Sequence, residues 1–283
     1  MSRSVGAVLV AVVLLLNGCG HDTKRDAVAD AGSSLSRVQR GSMHIKLALG
    51  AGNGDEAAAV GFTMDGQFDL SPPGAELPEA DLTTAKLGTL VQPPVRFLST
   101  GHEAFIVQAD VGYQLTADQV APLRLQSGKG TGFSGVDLRG WAIDASSQPA
   151  TTTPAGEVVD RVTGRVDPVA ALNGIVALAS QLGGGPDSAL SIAASDADRV
   201  HAATQASSLE LLVGRDDHVL RALTARVEFA APQTQSTGGA VVQALSKFGH
   251  LTLTIELRID HPNDQVTITR PARVRPIAEF PRS

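Results

Sequence analysis

The sequence predicts an α+β fold in which a curved antiparallel sheet, or incomplete barrel, is wrapped on helices. Segments with alternating apolar residues outnumber segments with helical spacing, most neighbouring strands are joined by hairpin-length turns, and nearly all are apolar on one face only. A one-sided sheet must cover its apolar face. Helices predicted at Asp26–Arg40, Asp167–Leu182 and Asp196–Ala206 are available to cover it.

The strand predictions begin after Gly41, where the first helix should end. The alternating segments are Met43–Leu49, Val60–Leu70, Asp81–Leu90, Val95–Ser99, Ala104–Gln108, Val158–Val166, Leu209–Val213, Leu223–Phe229 and Leu251–Ile259. A turn at Pro262–Asp264 should then return the chain as a strand through Val266 and Ile268. Gly66 interrupts the second strand, and we expect a bulge or a bend there.

The remaining segments are predicted from their turn residues and helix signals. Pro168, with Asp167 before it, fits the start of a helix. A short helix is expected at Ala117–Leu125, and a strand at Trp141–Asp144. Ser146–Ala155 is expected to be a loop because it offers no core residues. Gly130–Gly135 matches Gly-x-Gly-x-x-Gly, but we expect a strand after it, which is not the context of a dinucleotide site.

The N-terminal segment has the features of a secretory signal peptide. Arg3 precedes the apolar run Val5–Leu16, and Gly18 is a small residue before the cleavage position. Cys19, the only cysteine, follows Leu-x-Gly, which resembles a bacterial lipobox. We therefore predict a signal peptide at residues 1–18 and a lipidated tether at 19–25, with a diacylglycerol thioether on Cys19 and a further acyl chain such as palmitate on its amine.

Two alternatives to lipidation remain open for this segment. Val5–Leu16 could be an uncleaved anchor, although about 20 apolar residues are needed to span a bilayer. Cys19 could also be an ordinary thiol beside a conventional cleavage site. With lipidation, the protein is held at the cell membrane on its extracytoplasmic, periplasmic face, because two or three acyl chains anchor a protein more firmly than one.

Composition and charge argue against several classes of function. The formal net charge is −6 and no basic stripe is visible, so nucleic acid is not an expected partner. Aromatic residues make up 4% of the chain, which disfavours a site that stacks sugars or bases. The single cysteine leaves no second thiol for a disulfide. Stability must therefore come from burial and backbone hydrogen bonding.

No convincing set of catalytic or metal-binding groups is visible. The seven histidines are scattered, without His-Glu-x-x-His spacing, so we expect solvated or turn histidines and no metal site. Asp216 and Asp217 lie at a predicted hairpin tip, where they should set turn geometry. We predict that the protein is not an enzyme and needs no cofactor.

The order of the elements resembles the mycobacterial LppX/LprAFG lipoprotein family. The segments that carry the likeness are the Cys19 tether, the leading helix, Ser42–Ile45, the strand containing Gly66, Val162–Asp167 before a helix, and Leu209–Phe229. The resemblance covers most of the mature chain. It implies a half-open barrel similar to LolA-type carriers, formed by residues 26–283, with an apolar cavity for the acyl chains of envelope lipids or glycolipids. It also implies movement of these lipids across the envelope, with an envelope transporter as a candidate partner.

The cavity hypothesis depends on the aliphatic strand faces. Its candidate lining residues are Val60, Phe62, Phe68, Leu211, Val213, Leu223, Val227, Leu253, Ile255 and Leu257. Alternation alone does not distinguish a cavity from a filled core, because protein interiors are normally close-packed. The filled core leaves a second hypothesis, a tethered envelope adaptor that binds a protein partner. An enzyme is the third.

Overall fold

The computed structural model describes residues 33, 35–51, 60–87, 93–124, 133, 138–153, 156–181, 191–230 and 238–281. The signal peptide, Cys19 and the tether lie outside these residues. The strands are β1 Arg40–Ala51, β2 Val60–Asp69, β3 Glu79–Leu87, β4 Val95–Thr100, β5 Ala104–Gln108, β6 Val111–Gln114, β7 Ala142–Thr152, β8 Val158–Val166, β9 Thr204–Gly214, β10 Leu220–Ala230, β11 His250–Asp260 and β12 Arg273–Pro276. The helices are α1 Ala117–Val120, α2 Leu138–Trp141, α3 Pro168–Gln181, α4 Ala197–Ala203 and α5 Ala240–Phe248, with 3-10 turns at Ala121–Leu123, Ala194–Asp196 and Ile277–Glu279.

The twelve strands form one curved, open sheet in the order β12-β6-β5-β4-β3-β2-β1-β11-β10-β9-β8-β7. β7 and β12 are its two edges, so the barrel is not closed. Every neighbouring pair is antiparallel except β12 and β6, which are parallel. The predicted α+β class and curved, incomplete barrel are confirmed, and the sheet is mixed because of this one parallel pair.

One face of the sheet, which we call the inner face, carries the main hydrophobic cluster. The helices contribute apolar residues to the same cluster: Leu138 and Trp141 from α2, Ala171, Leu172, Ile175, Val176 and Leu178 from α3, Val200 and Ala203 from α4, and Val241, Val242 and Leu245 from α5. The helices are therefore packed on the inner face, as the one-sided strand pattern requires.

The α3 helix begins as its sequence indicates. Asp167 accepts hydrogen bonds from the backbone N–H groups of Val169 and Ala170 at 2.9 and 3.0 Å. Its carboxylate thereby pairs two N–H groups that have no partner within the helix. The predicted end at Leu182 lies outside the described residues.

The other predicted helices differ from the structure at their ends. Residues 33 and 35 are helical, but the chain turns at Ser36 and β1 already includes Arg40, so the predicted helix does not reach Arg40. Regular helix after Ala117 ends at Val120 and continues only as a 3-10 turn. The α4 helix stops at Ala203 because β9 begins at Thr204, before the predicted end at Ala206.

Three segments of the sequence were interpreted incorrectly. Ser146–Ala155 was predicted as a loop, but its residues 146–152 belong to the edge strand β7. The strand predicted at Trp141–Asp144 is confirmed for residues 142–144, whereas Leu138–Trp141 form α2 where we expected strand after Gly135. Val266 and Ile268 do not form a return strand. Both edges of β11 are already paired, with β1 and β10, so the chain cannot add a strand there and pairs as β12 with β6 instead.

The C-terminal segment covers the outer face of the sheet at β4 to β6. Leu98 and Phe105 are register partners that are buried there but do not belong to the main cluster. The Arg270 guanidinium lies 5.7 Å from the centre of the Phe105 ring. Tyr113 pairs with Ile106 and so lies on the other face, where its ring makes an edge-to-face contact with Phe280 at a centroid distance of 5.1 Å. The C-terminal cover over Leu98 and Phe105 gives this part of the sheet a second apolar layer.

We expect Ala109→Gly to raise the free energy of unfolding by about 0.5–1 kcal/mol. Ala109 and Asp110 join β5 to β6 with φ of +47° and +62°, a turn conformation that favours glycine. Glycine adopts it without strain, and urea denaturation will measure the gain. Ala85→Gly within β3 is the control and should lower stability; a loss for Ala109→Gly would contradict the explanation.

Candidate functional site

The inner face is built from rows of apolar side chains that cross several strands. One row consists of Met64, Ile45, Leu257, Leu223, Leu211 and Val162, which are register partners across six neighbouring strands. All six are at most 1% exposed. This arrangement follows from the period-two alternation of the strands, because each strand places every second side chain on the same face.

A second row and part of a third lie beside it. Phe62, Leu47, Ile255, Ala225 and Leu209 are register partners, and so are Val60, Leu49, Leu253 and Val227. Ala225 is the smallest residue of the second row, and it lies between Ile255 and Leu209. The centre of the inner face therefore has one position with much less side-chain volume than its neighbours.

Nine of the ten candidate lining residues lie together in the main cluster: Phe62, Phe68, Leu211, Val213, Leu223, Val227, Leu253, Ile255 and Leu257. Val60 does not, because it is 58% exposed at the first position of β2, where its row leaves the cluster. The structure thus brings the predicted residues onto one continuous apolar face. That this face lines a lipid cavity stays a prediction.

Aromatic side chains border the inner face, and sequence reasoning did not identify two of them. Phe133 makes an edge-to-face contact with Phe68 at 5.4 Å between ring centroids. Trp141 is buried, and a Cβ atom on Gly174 of α3 would lie 2.3 Å from its Cζ2 atom. Gly174 therefore lets the indole approach the α3 backbone closely. Gly174, a small residue within the apolar α3 helix, was a signal of close packing, but the sequence did not show that Trp141 is its partner.

The inner face offers little to a charged group. Among the described residues, the buried polar or charged side chains are Asp69, Ser99, Asp196 and Thr252. Asp69 accepts a hydrogen bond from the Ser71 N–H, and Asp196 accepts one from the Gly239 N–H just before α5. Both carboxylates also have a charged partner, since Arg40 Nε lies 3.7 Å from Asp69 and Arg199 Nη1 lies 3.8 Å from Asp196. What the inner face can hold is hydrocarbon, since burying a charge without a partner is costly.

We expect Ser99→Ala to raise the free energy of unfolding by about 1 kcal/mol. Ser99 is fully buried, and in the described part of the chain its Oγ is the one buried side-chain oxygen or nitrogen without a hydrogen-bond partner. Its register partners, Ala80 and Ala104, are small and apolar, so alanine fits. Urea denaturation measures the change, and a clear loss of stability would indicate that the hydroxyl has a partner.

The groups considered for catalysis are engaged in local contacts. His44 Nδ1 lies 2.5 Å from Asp65 Oδ1 on the outer face, and His201 Nε2 lies 3.3 Å from Asp167 Oδ1. At the hairpin tip, Asp217 accepts a hydrogen bond from the Val219 N–H at 3.0 Å, which is the turn role predicted for it. In the described part of the chain, no three His, Cys, Asp or Glu side chains are grouped to hold a metal ion.

Comparison with known proteins gives similar folds but no close relative. No family model and no curated protein matches the sequence. Among solved structures, the chain is similar to LprF from Mycobacterium bovis, with 12% identity over 88% of this chain and 98% of that chain and a TM-score of 0.41. It is also similar to the Mycobacterium tuberculosis lipoprotein LppX, with 13% identity, coverage of 87% and 99%, and a TM-score of 0.39. Both belong to the family that the sequence resembles.

A third similar structure is a LolA superfamily protein from Nitrosomonas europaea, with 9% identity over 84% of this chain and 94% of that chain and a TM-score of 0.21. At such identities and TM-scores, the three likenesses carry no information about what this chain binds. Its fold is established by its own strand register. Where the chain is described, none of its helices has the length and apolar content to cross a bilayer.

Proposed function

We propose that this protein is a membrane-anchored lipoprotein that binds the acyl chains of envelope lipids or glycolipids and helps to carry them across the cell envelope. The observation that supports the proposal best is the inner face, where uncharged apolar rows cross four to six strands beneath apolar helices. Acyl chains would lie between this face and the helices. Lipidated Cys19 would hold residues 26–283 at the extracytoplasmic face of the membrane, where an envelope transporter is a candidate partner.

The chemistry of the inner face makes chain length the main determinant of affinity. Each methylene removed from water contributes about 0.8 kcal/mol, and tenfold in affinity corresponds to about 1.4 kcal/mol. Two added methylenes should therefore raise affinity roughly tenfold until the available length is filled. No charged contact and no catalytic group are needed for such binding.

The test uses a variant that lacks residues 1–18 and has Cys19→Ser, so that no attached acyl chain confuses the result. We expect native mass spectrometry to detect bound lipid and solvent extraction to recover it. A fluorescent fatty acid should displace that lipid, with affinity rising with chain length. If the variant carries no lipid and binds no acyl probe, the carrier function is excluded.

The adaptor remains the second candidate, because nine candidate residues are buried in one continuous cluster, as they would be in a filled core. In that case the outer surface would bind an envelope protein. Cross-linking in intact cells that recovers one stable protein partner, from a chain that carries no lipid, would favour it. A carrier would yield lipid in the same preparation.

A further inference from the structure

A cavity of about 540 Å³ lies on the side of the sheet opposite to the inner face. Its floor includes Leu212 and Ala222, which alternate along β9 and β10 with the inner-face residues Leu211 and Leu223. Its walls come from Glu157 before β8, the β9–β10 hairpin and the segment after β11. We call this site the outer cleft. Its volume is in the range of small-ligand sites.

Arg221 is the fixed centre of the outer cleft. Its side chain is 14% exposed, its Nε donates to both Glu157 carboxylate oxygens at 2.9 and 3.0 Å, and its Nη2 donates to Glu157 Oε1 at 2.6 Å and to Asp217 Oδ2 at 2.7 Å. Nη1 also donates to the Val219 carbonyl at 3.0 Å. These bonds hold the guanidinium and both carboxylates in place before any ligand arrives.

Asp217 is held in its charged form, and both carboxylates retain capacity to accept further hydrogen bonds. Burial disfavours the charged form of Asp217, but hydrogen bonds from Arg221 and the Val219 N–H outweigh it and hold its pKa below the usual value. A carboxylate has about four lone-pair sites. Glu157 and Asp217 can therefore accept hydrogen bonds from a ligand in addition to those from Arg221.

The charge of the outer cleft limits the kind of ligand it can take. Four carboxylates line it, from Glu157, Asp217, Asp260 and Asp264, against two guanidinium groups, from Arg221 and Arg258. An anionic ligand would meet a surplus of negative charge. A neutral ligand that both donates and accepts hydrogen bonds would find acceptors and donors around an apolar floor that includes Leu212 and Ala222.

We propose that the outer cleft binds a neutral polyhydroxylated ligand, a sugar ring whose vicinal hydroxyls donate to the carboxylates and whose C–H face rests on the apolar floor. The ring could belong to a free sugar or to the headgroup of a glycolipid, since both present the same hydroxyls. The inference does not depend on lipid binding at the inner face, because the two sites lie on opposite faces of the sheet.

The test places the full chain in phosphatidylcholine nanodiscs and titrates it with methyl glucoside, observed by saturation-transfer NMR. We expect saturable binding, and binding of glucose 6-phosphate at least about tenfold weaker because its phosphate meets the surplus carboxylates. A second set of nanodiscs contains glucosyl diacylglycerol. Protection of cleft residues from hydrogen exchange only in those nanodiscs identifies the headgroup as the source. No saturable binding in either arm overturns the proposal.

Two variants and one control make the assignment specific. Ala222→Phe fills the floor without changing charge and should abolish sugar binding. Asp260→Asn with Asp264→Asn balances the charges, leaves the Arg221 network intact, and should remove the discrimination against glucose 6-phosphate. Glu210→Gln, on the outer face but outside the cleft, should change neither result. If Ala222→Phe still binds methyl glucoside as the wild type does, the site is elsewhere.

The outer-cleft variants also separate this inference from the proposed function. Lipid extraction from the same preparations should be unchanged by Ala222→Phe, whose side chain lies opposite to the inner face. Loss of sugar binding with retained lipid supports two independent sites. Loss of both would overturn the claim that they are independent.

Discussion

Gly66→Ala should destabilise the protein by about 3–5 kcal/mol, because strain and overpacking each cost about 1–3 kcal/mol and here they act together. Gly66 has φ of +149°, and a Cβ atom there would lie 1.9 Å from the carbonyl oxygen of Asp81. That oxygen belongs to backbone that cannot move freely, since Gly66 is paired with Leu82 on β3 and with Met43 on β1. Urea denaturation followed by circular dichroism will measure the loss.

Gly74→Ala is the matched control for this prediction. Gly74 also has a positive φ, +77°, but no atom lies within 4 Å of the position of its added Cβ. Gly74→Ala should therefore lower the free energy of unfolding by only about 1 kcal/mol, which is the cost of the positive φ alone. Equal losses for the two substitutions would mean that the close approach of β3 is not what requires glycine at position 66.

Gly66 also illustrates what the sequence reveals about curvature. A glycine on the apolar side of a strand predicted a bulge or a bend, and β2 keeps its register with both neighbours through Gly66, so there is no bulge. Gly61, on the same strand, would place a Cβ 1.9 Å from the carbonyl oxygen of Leu47 on β1. The two glycines allow close approach of a neighbour on each side, a three-dimensional fact that a local pattern does not contain.

The strands that were predicted are those with one buried face. Alternation identifies β1, β2, β10 and β11 because burial acts on every second residue. β7 carries no such signal: Gln148 to Thr152 are all exposed, and the strand is held through backbone pairing with β8. A strand without a buried face has the composition of a loop, so its sequence could not distinguish the two.

Long-range pairing explains why the predicted return strand did not form, whereas α5 was missed despite a local signal. Val266 and Ile268 alternate as a return strand would, but a local pattern does not reveal that both edges of β11 are occupied. The α5 helix went unpredicted although Val241, Val242 and Leu245 have helical spacing and Gly249 follows its last turn with φ of +73°. That signal was present in the sequence and could have been used.

The sequence predicts which residues form the apolar face of the candidate site, but it does not predict the volume between that face and the helices. Alternation placed nine residues on one apolar face, and the register brings them together. The volume between this face and the helices depends on contacts such as Trp141 against Gly174, which come from distant parts of the chain. A substitution that adds volume to the middle of the inner face can therefore distinguish a lipid site from a filled core.

Ala225→Trp should lower the affinity for acyl probes by at least about tenfold and remove most of the co-purified lipid, if lipid occupies the inner face. Ala225 is 1% exposed and lies between Ile255 and Leu209, so an indole there would take the volume of an acyl chain. In a filled core the same change would instead cost about 1–3 kcal/mol of stability through overpacking. Native mass spectrometry and urea denaturation of one preparation give both readouts.

Thr224→Trp is the matched control, because it adds the same side chain at the neighbouring position, which is exposed on the outer face. It should leave lipid content and stability close to those of the wild type. A loss of lipid in Ala225→Trp but not in Thr224→Trp, with the fold retained, would locate the acyl chain on the inner face. If Ala225→Trp kept its lipid and its probe affinity, the acyl chain could not lie across the centre of the sheet, and the carrier proposal would lose its structural basis.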